Sequence, residues 1–191
     1  MKKIMIGLLG LSFLFMANSA FAEHGEYKAF KQGQKDKRKA FWSQQKTENK
    51  ESKGTLKEMS PENRASVMAQ HREGQFGENK AFREKMHAEK IAHLKEKLAY
   101  NKKLTEAQKT DLINYLENQY QENATFRDQQ HGENTAFFDK IANDESLSQE
   151  QKKQAIKEHF SKQKAENKAH HEEQKTQRKE FKGSFKTNKT Q

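Results

Sequence analysis

The sequence predicts an all-α protein: three long amphipathic helices in a thin, elongated helical-hairpin or cradle arrangement, led by a partly disordered N-terminal arm. Three observations predict it. Between Glu62 and Phe181 the apolar residues recur at helical spacing instead of alternating. Strand signals are missing: Val67 is the only valine, and the good helix formers Lys, Glu, Gln and Ala fill the sequence. Finally, one short phrase is written three times, as Met59-Ser60-Pro61-Glu62-Asn63, Leu104-Thr105-Glu106-Ala107-Gln108 and Leu147-Ser148-Gln149-Glu150-Gln151. Its copies start 45 and 43 residues apart, a period expected of one supersecondary unit per copy.

The elements are justified in chain order. Lys2 and Lys3 precede an uncharged apolar run, Ile4 to Ala17, too short for an ordinary membrane span. Ala20 and Ala22 then occupy the small-residue positions of a cleavage site. Residues 1–22 are therefore expected to be a secretory signal peptide cut after Ala22, which places the mature protein in a bacterial periplasm or outside the cell. Residues 23–57 form a basic, Gln- and Lys-rich arm, expected to be partly disordered or helical, with Phe30, Phe41 and the lone Trp42 as its apolar bulk. A helical repeat domain is expected over 58–182 and a flexible tail over 183–191.

Each copy of the phrase reads as a helix start. Ser60, Thr105 and Ser148 stand at N-cap positions, and three residues later come Asn63, Gln108 and Gln151. That is capping-box spacing: the hydroxyl accepts from the third helical amide, and the third side chain reaches back to the cap amide. Asn63 is shorter than the usual Glu or Gln, and Pro61 compensates at the first helical position. Met59, Leu104 and Leu147 supply the apolar residue of a hydrophobic staple. A Glu-Asn pair follows each start, at Glu78-Asn79, Glu122-Asn123 and Glu166-Asn167. Gly74 and Gly77 weaken the first helix and predict a kink there.

A finer period runs inside the large one. Phe82, His93, Leu104, Tyr115, Phe126, Phe137, His159, His170 and Phe181 share one phase of an eleven-residue step, and Phe30 and Phe41 repeat that step upstream. Eleven residues make three turns at 3.67 per turn, so such a stripe runs nearly straight along a helix. It either packs helix to helix or offers a shallow polar-aromatic face.

Composition narrows the chemistry. The net charge is +10, the charged fraction 34% and the hydrophobic fraction 31%, too little apolar material for a thick globular core. A positive surface attracts acidic proteins, lipid head groups or nucleic acid. The export signal argues against a nucleic-acid role, and the basic residues are interleaved with acids, with no long basic stripe outside Lys35–Lys39. No Cys is present, which removes thiol chemistry and Cys-based metal sites. Eight His include the cluster His170-His171-Glu172-Glu173, and His87 lies near Glu89 and His93, but none forms a helical i, i+4 pair or an H-E-x-x-H motif. No phosphate loop or nucleophile motif is present, and an enzyme is not expected.

At Leu104, Thr105 and Gln108 the chain resembles the Spy/CpxP family of periplasmic proteins, whose marker is a Leu-Thr-x-x-Gln motif opening a long helix. Leu147, Ser148 and Gln151 match with Ser for Thr, and Met59, Ser60 and Asn63 are a degenerate third copy. The resemblance implies an ATP-independent chaperone or envelope-stress protein, working as a helical homodimer that holds unfolded clients on a basic concave face. No cofactor is expected. Client contact is assigned to Phe82, Met86, Phe126, Phe137 and Phe160, with Lys80, Arg83, Arg127 and Lys168 beside them to attract acidic segments. The alternative readings are an elongated structural or adhesive surface protein binding an anionic envelope polymer or partner, and a metal-responsive periplasmic protein.

Overall fold

The computed structural model describes residues 21–187. Among them are four α-helices and no strand: α1 Phe21–Glu58, α2 Pro61–Ala99, α3 Glu106–Asn143 and α4 Gln149–Thr187. The all-α class holds, and the expected number of helices is corrected from three to four. The additional helix is α1, one continuous run of 38 residues over the arm expected to be partly disordered or helical. Gly25, Gly33 and Gly54 each cost a helix up to about 1 kcal/mol relative to Ala. They are outweighed by long unbranched side chains and by i, i+4 bonds such as Gln32 to Asp36 (2.9 Å) and Gln44 to Glu48 (2.8 Å). Residues 1–20 of the expected signal peptide and 188–191 of the expected tail lie outside the described residues, and 183–187 continue α4.

The three expected helix starts are found, since α2, α3 and α4 begin directly after Ser60, Thr105 and Ser148. Two carry the full capping box. Thr105 Oγ1 accepts from Gln108 N at 3.2 Å, and Gln108 Oε1 accepts from Thr105 N at 3.0 Å. Ser148 and Gln151 repeat it at 3.2 and 2.8 Å. The Ser60–Asn63 box is corrected: Ser60 makes no side-chain cap bond. Pro61 presets the first helical φ, and the ladder starts with Arg64 N donating to Ser60 O at 3.1 Å.

The two turns between the last three helices share a device. Asn101 Oδ1 accepts from Lys103 N at 2.8 Å, and Asp144 Oδ1 accepts from Ser146 N at 3.0 Å, so each turn folds on an Asx bond before its cap. The Ser146 hydroxyl also donates to Asp144, and this bond holds the Asp144 carboxyl below its ordinary value.

The chain divides into two units, Met1–Met59 and Ser60–Gln191. The first contains α1. In the second, α3 packs against α2 and against α4, and α2 does not pack against α4. Partners run antiparallel: Phe76 meets His131 and His87 meets Tyr120 across α2 and α3, while Phe137 meets His159 and Tyr115 meets Phe181 across α3 and α4. α2 keeps helical backbone through Gly74 and Gly77. The buried apolar residues are few: Met86, Ile91, Leu98, Leu112, Leu116 and Ile141. Leu98 lies in the last turn of α2 and Leu112 and Leu116 in the early turns of α3, and Leu112, 1% exposed, is the most deeply buried of them.

Candidate functional site

Along α3 and α4 the eleven-residue stripe is the interface between helices. Call its residues the ring row. Where α3 meets α4, ring row packs on ring row. Tyr115 stacks on Phe181, Phe126 on His170 and Phe137 on His159, with centroids 4.0–4.1 Å apart and planes within 12°. Where α2 meets α3, a second row is used, six residues before the first. Phe76 stacks on His131 at 3.6 Å and His87 on Tyr120 at 3.9 Å. Each row therefore pairs with its own kind.

Every stacked His is also held by the residue three positions before its ring partner. His87 Nε2 donates to Glu117 (2.7 Å) and His131 Nε2 to Glu73 (2.8 Å). His159 Nε2 donates to Asn134 Oδ1 (2.8 Å) and His170 Nε2 to Asn123 Oδ1 (3.2 Å). The seams thus differ in chemistry, carboxylates on the α2 side and amides on the α4 side. Asn123 anchors the amide side. Its Nδ2 donates to the Gln119 carbonyl at 2.6 Å and to Gln174 Oε1 at 2.8 Å, and Gln119 Nε2 donates to Gln177 Oε1. Gln119, Gln163 and Gln174 are buried there.

These contacts locate the residues assigned to client binding. Met86 is buried. Phe126 and Phe137 are half-buried, each with a ring face covered by His. Phe82 is half-buried. Phe160 is 44% exposed and tilted against Phe138, which Arg72 covers at 5.0 Å. Lys80 is paired with Asp128 at 2.8 Å, and that bond raises its pKa. Arg83 and Arg127 lie near Tyr120 inside the α2–α3 seam, where burial lowers both guanidinium pKa values and raises that of Tyr120. Lys168 is exposed. Of the nine residues, then, Phe160 and Lys168 are the exposed ones. A shallow groove of about 600 Å³ along the α3–α4 seam includes Phe126 and His170 in its lining, together with Gln121, Glu122, Gln129 and Glu173.

The eleven-residue frame exposes a feature that linear reading misses. Two and six residues before each ring-row position are places that, at 3.67 residues per turn, fall on the side of the helix turned away from the ring row. In α2 and α3 the place six before holds the seam groups Phe76, His87, Tyr120 and His131. In α4 the two places hold Lys153, Lys164 and Lys175, then Lys157, Lys168 and Lys179, all exposed. In α1, counted from Phe30 and Phe41, they hold Lys35, Lys46 and Lys57, then Lys28, Lys39 and Lys50, again all exposed. The expectation of no long basic stripe outside Lys35–Lys39 is corrected: the lysines of a row are eleven residues apart, so no local run betrays them. The α4 stripe spans about 39 Å at 1.5 Å per residue. Lys153 and Lys175 each touch a carboxylate three residues earlier, Glu150 at 3.3 Å and Glu172 at 3.0 Å. Both pairs are exposed and of the kind worth under about 1 kcal/mol.

Among the described residues no group of three or more His, Asp or Glu is placed to hold a metal ion. His170 of the expected His-Glu cluster is turned to Phe126 and Asn123, and His87 to Tyr120 and Glu117. No described helix is long and apolar enough to cross a membrane. The chain matches no family model, and comparison with characterised proteins and with solved structures finds no match.

Proposed function

We propose that this chain is an exported, non-enzymatic helical protein that binds anionic partners through lysine-lined helix faces, in a structural or adhesive role at the cell envelope. One observation carries the proposal: at the repeat position where α2 and α3 place seam rings, α1 and α4 place exposed lysines. A second helix of the same kind is repelled from such a face, because lysine would meet lysine. A polyanion is attracted to it, with release of its counterions.

A second reading is an ATP-independent chaperone-like protein of the Spy/CpxP type, a homodimeric cradle holding unfolded acidic clients. The two complete Leu-Thr/Ser-x-x-Gln boxes and the exposed pair Phe160 and Lys168 favour it. The stacking of Phe126 and Phe137 on imidazoles covers one face of each ring, which counts against open apolar contact at these two residues. A metal-responsive role has no arranged ligand set behind it among the described residues.

Cosedimentation with dextran sulfate over a salt series tests the first reading. Retention should fall steeply with salt, and no retention at low salt would reject it. Suppression of aggregation of a denatured client tests the second. Full suppression at one chain per client, unaltered by salt, would favour the chaperone over the polymer binder.

A further inference from the structure

We infer that the lysine faces of α1 and α4 are two equivalent docking surfaces for a linear, carboxylated polysaccharide. The inference rests on the polyanion reading above and narrows it to one polymer class. Beside each lysine stripe stands one exposed aromatic residue at the same repeat position, one residue after the ring row: Trp42 after Phe41 in α1, and Phe160 after His159 in α4. They are 39% and 44% exposed, two of the few large apolar side chains left open. Trp42 is braced edge-on by Phe41 at 5.2 Å, and Phe160 leans on Phe138 at 6.0 Å. Both are held in place rather than loose.

The form of the surface selects its partner. Two rows spaced by four and seven residues make a narrow track along a nearly straight helix, which suits a chain of separated charges better than a plane. A bilayer would call for a continuous apolar row beside the lysines. Here the places eleven residues either side of Trp42 are Lys31 and Lys53, and those after Phe160 are His171 and Lys182. A single-stranded nucleic acid would call for successive aromatics on which neighbouring bases stack, and each stripe has one. A single ring beside regularly spaced ammonium groups matches a sugar chain: the apolar face of one pyranose lies on the ring, and its carboxylates run along the lysines. Two such faces on one chain let it hold two polymer segments, with the avidity that implies.

The test measures binding of the full chain to polygalacturonate, with oligothymidylate, polyglutamate and phosphatidylglycerol vesicles as alternatives. Polygalacturonate should bind tightest, and the slope of log affinity against log salt should be steep. Replacing the α4 lysines by Gln should flatten that slope, replacing those of α1 should do the same, and the combined variant should lose binding while keeping its helical circular dichroism. The pair Trp42→Ala and Phe160→Ala should weaken polygalacturonate about tenfold with the salt slope unchanged. Preference for oligothymidylate, polyglutamate or vesicles, or indifference to the two aromatic changes, overturns the inference and leaves the polyanion reading standing. Binding to none of the polyanions, or binding that survives loss of both lysine sets, overturns both.

Discussion

Compare α3 with α4, two helices built on the same eleven-residue frame. Six residues before the ring row, α3 has Tyr120 and His131, and α4 has Lys164 and Lys175. α3 uses that row to pack on α2, through stacked rings and two His–carboxylate bonds, with the half-exposed Lys80–Asp128 pair and the partly buried Arg83 and Arg127 beside them. α4 packs on α3 by its ring row and the flanking Gln174, Gln177 and Phe160, and its lysine rows are exposed. The difference teaches that one repeat position decides between a seam and a surface. Rings and imidazoles there join helices, and lysines stop the addition of another and leave a charged track.

The largest effect should come from erasing the difference on the α3 side. Tyr120→Lys puts a lysine against His87 and beside Arg83 and Arg127, removing a stack and adding like charge. It should cost about 3–5 kcal/mol, read from urea unfolding. A loss under about 1 kcal/mol would deny that this row makes the seam. Leu112→Ala should cost about 2–5 kcal/mol by leaving a cavity where this 1% exposed side chain stood.

Erasing it on the α4 side is the converse. Lys164→Tyr with Lys175→His should make the chain self-associate through α4, seen as a concentration-dependent rise in sedimentation coefficient that the parent lacks through this face. Unchanged sedimentation would separate the row from any role in blocking helix addition.

Alkaline pH discriminates the seams more gently. Burial raises the Tyr115 and Tyr120 pKa values, and Asp128 raises that of Lys80. A group whose folded pKa is raised contributes stability that is intact below its unfolded value and lost as pH climbs through the folded one. The melting temperature should therefore fall above about pH 10. Tyr120→Phe should blunt the fall, and an equally steep fall in that variant would assign it elsewhere.

The smallest effects lie at the helix starts. Thr105→Ala and Ser148→Ala should each cost about 1 kcal/mol, and Ser60→Ala only a few tenths, because Ser60 makes no side-chain cap bond.

Much of the fold was legible. Local chemistry specifies the starts at Ser60, Thr105 and Ser148, and these are the helix boundaries found. The sequence left 23–57 open between disorder and helix, because three glycines and a polar composition resemble a disordered arm while continuous good helix formers favour the helix that is found. The ring row was visible as a period, yet its partners were not, because pairing Phe126 with His170 depends on register across 44 residues. The second row escaped because Phe76, Tyr120 and His131 mean little until the six-residue offset is known. The lysine rows were hidden by the same spacing, though the signal that finds them, counting by eleven, was already on the sequence.

Trp42 is the only tryptophan, and it stands beside the α1 lysine stripe. Its emission during titration with polygalacturonate reads the proposed surface directly. A saturable change in intensity or wavelength, reversed by added salt and lost when Lys35, Lys39 and Lys46 become Gln, is the predicted result. Emission unmoved while the polymer is demonstrably bound would place the partner elsewhere and contradict the lysine faces as its site.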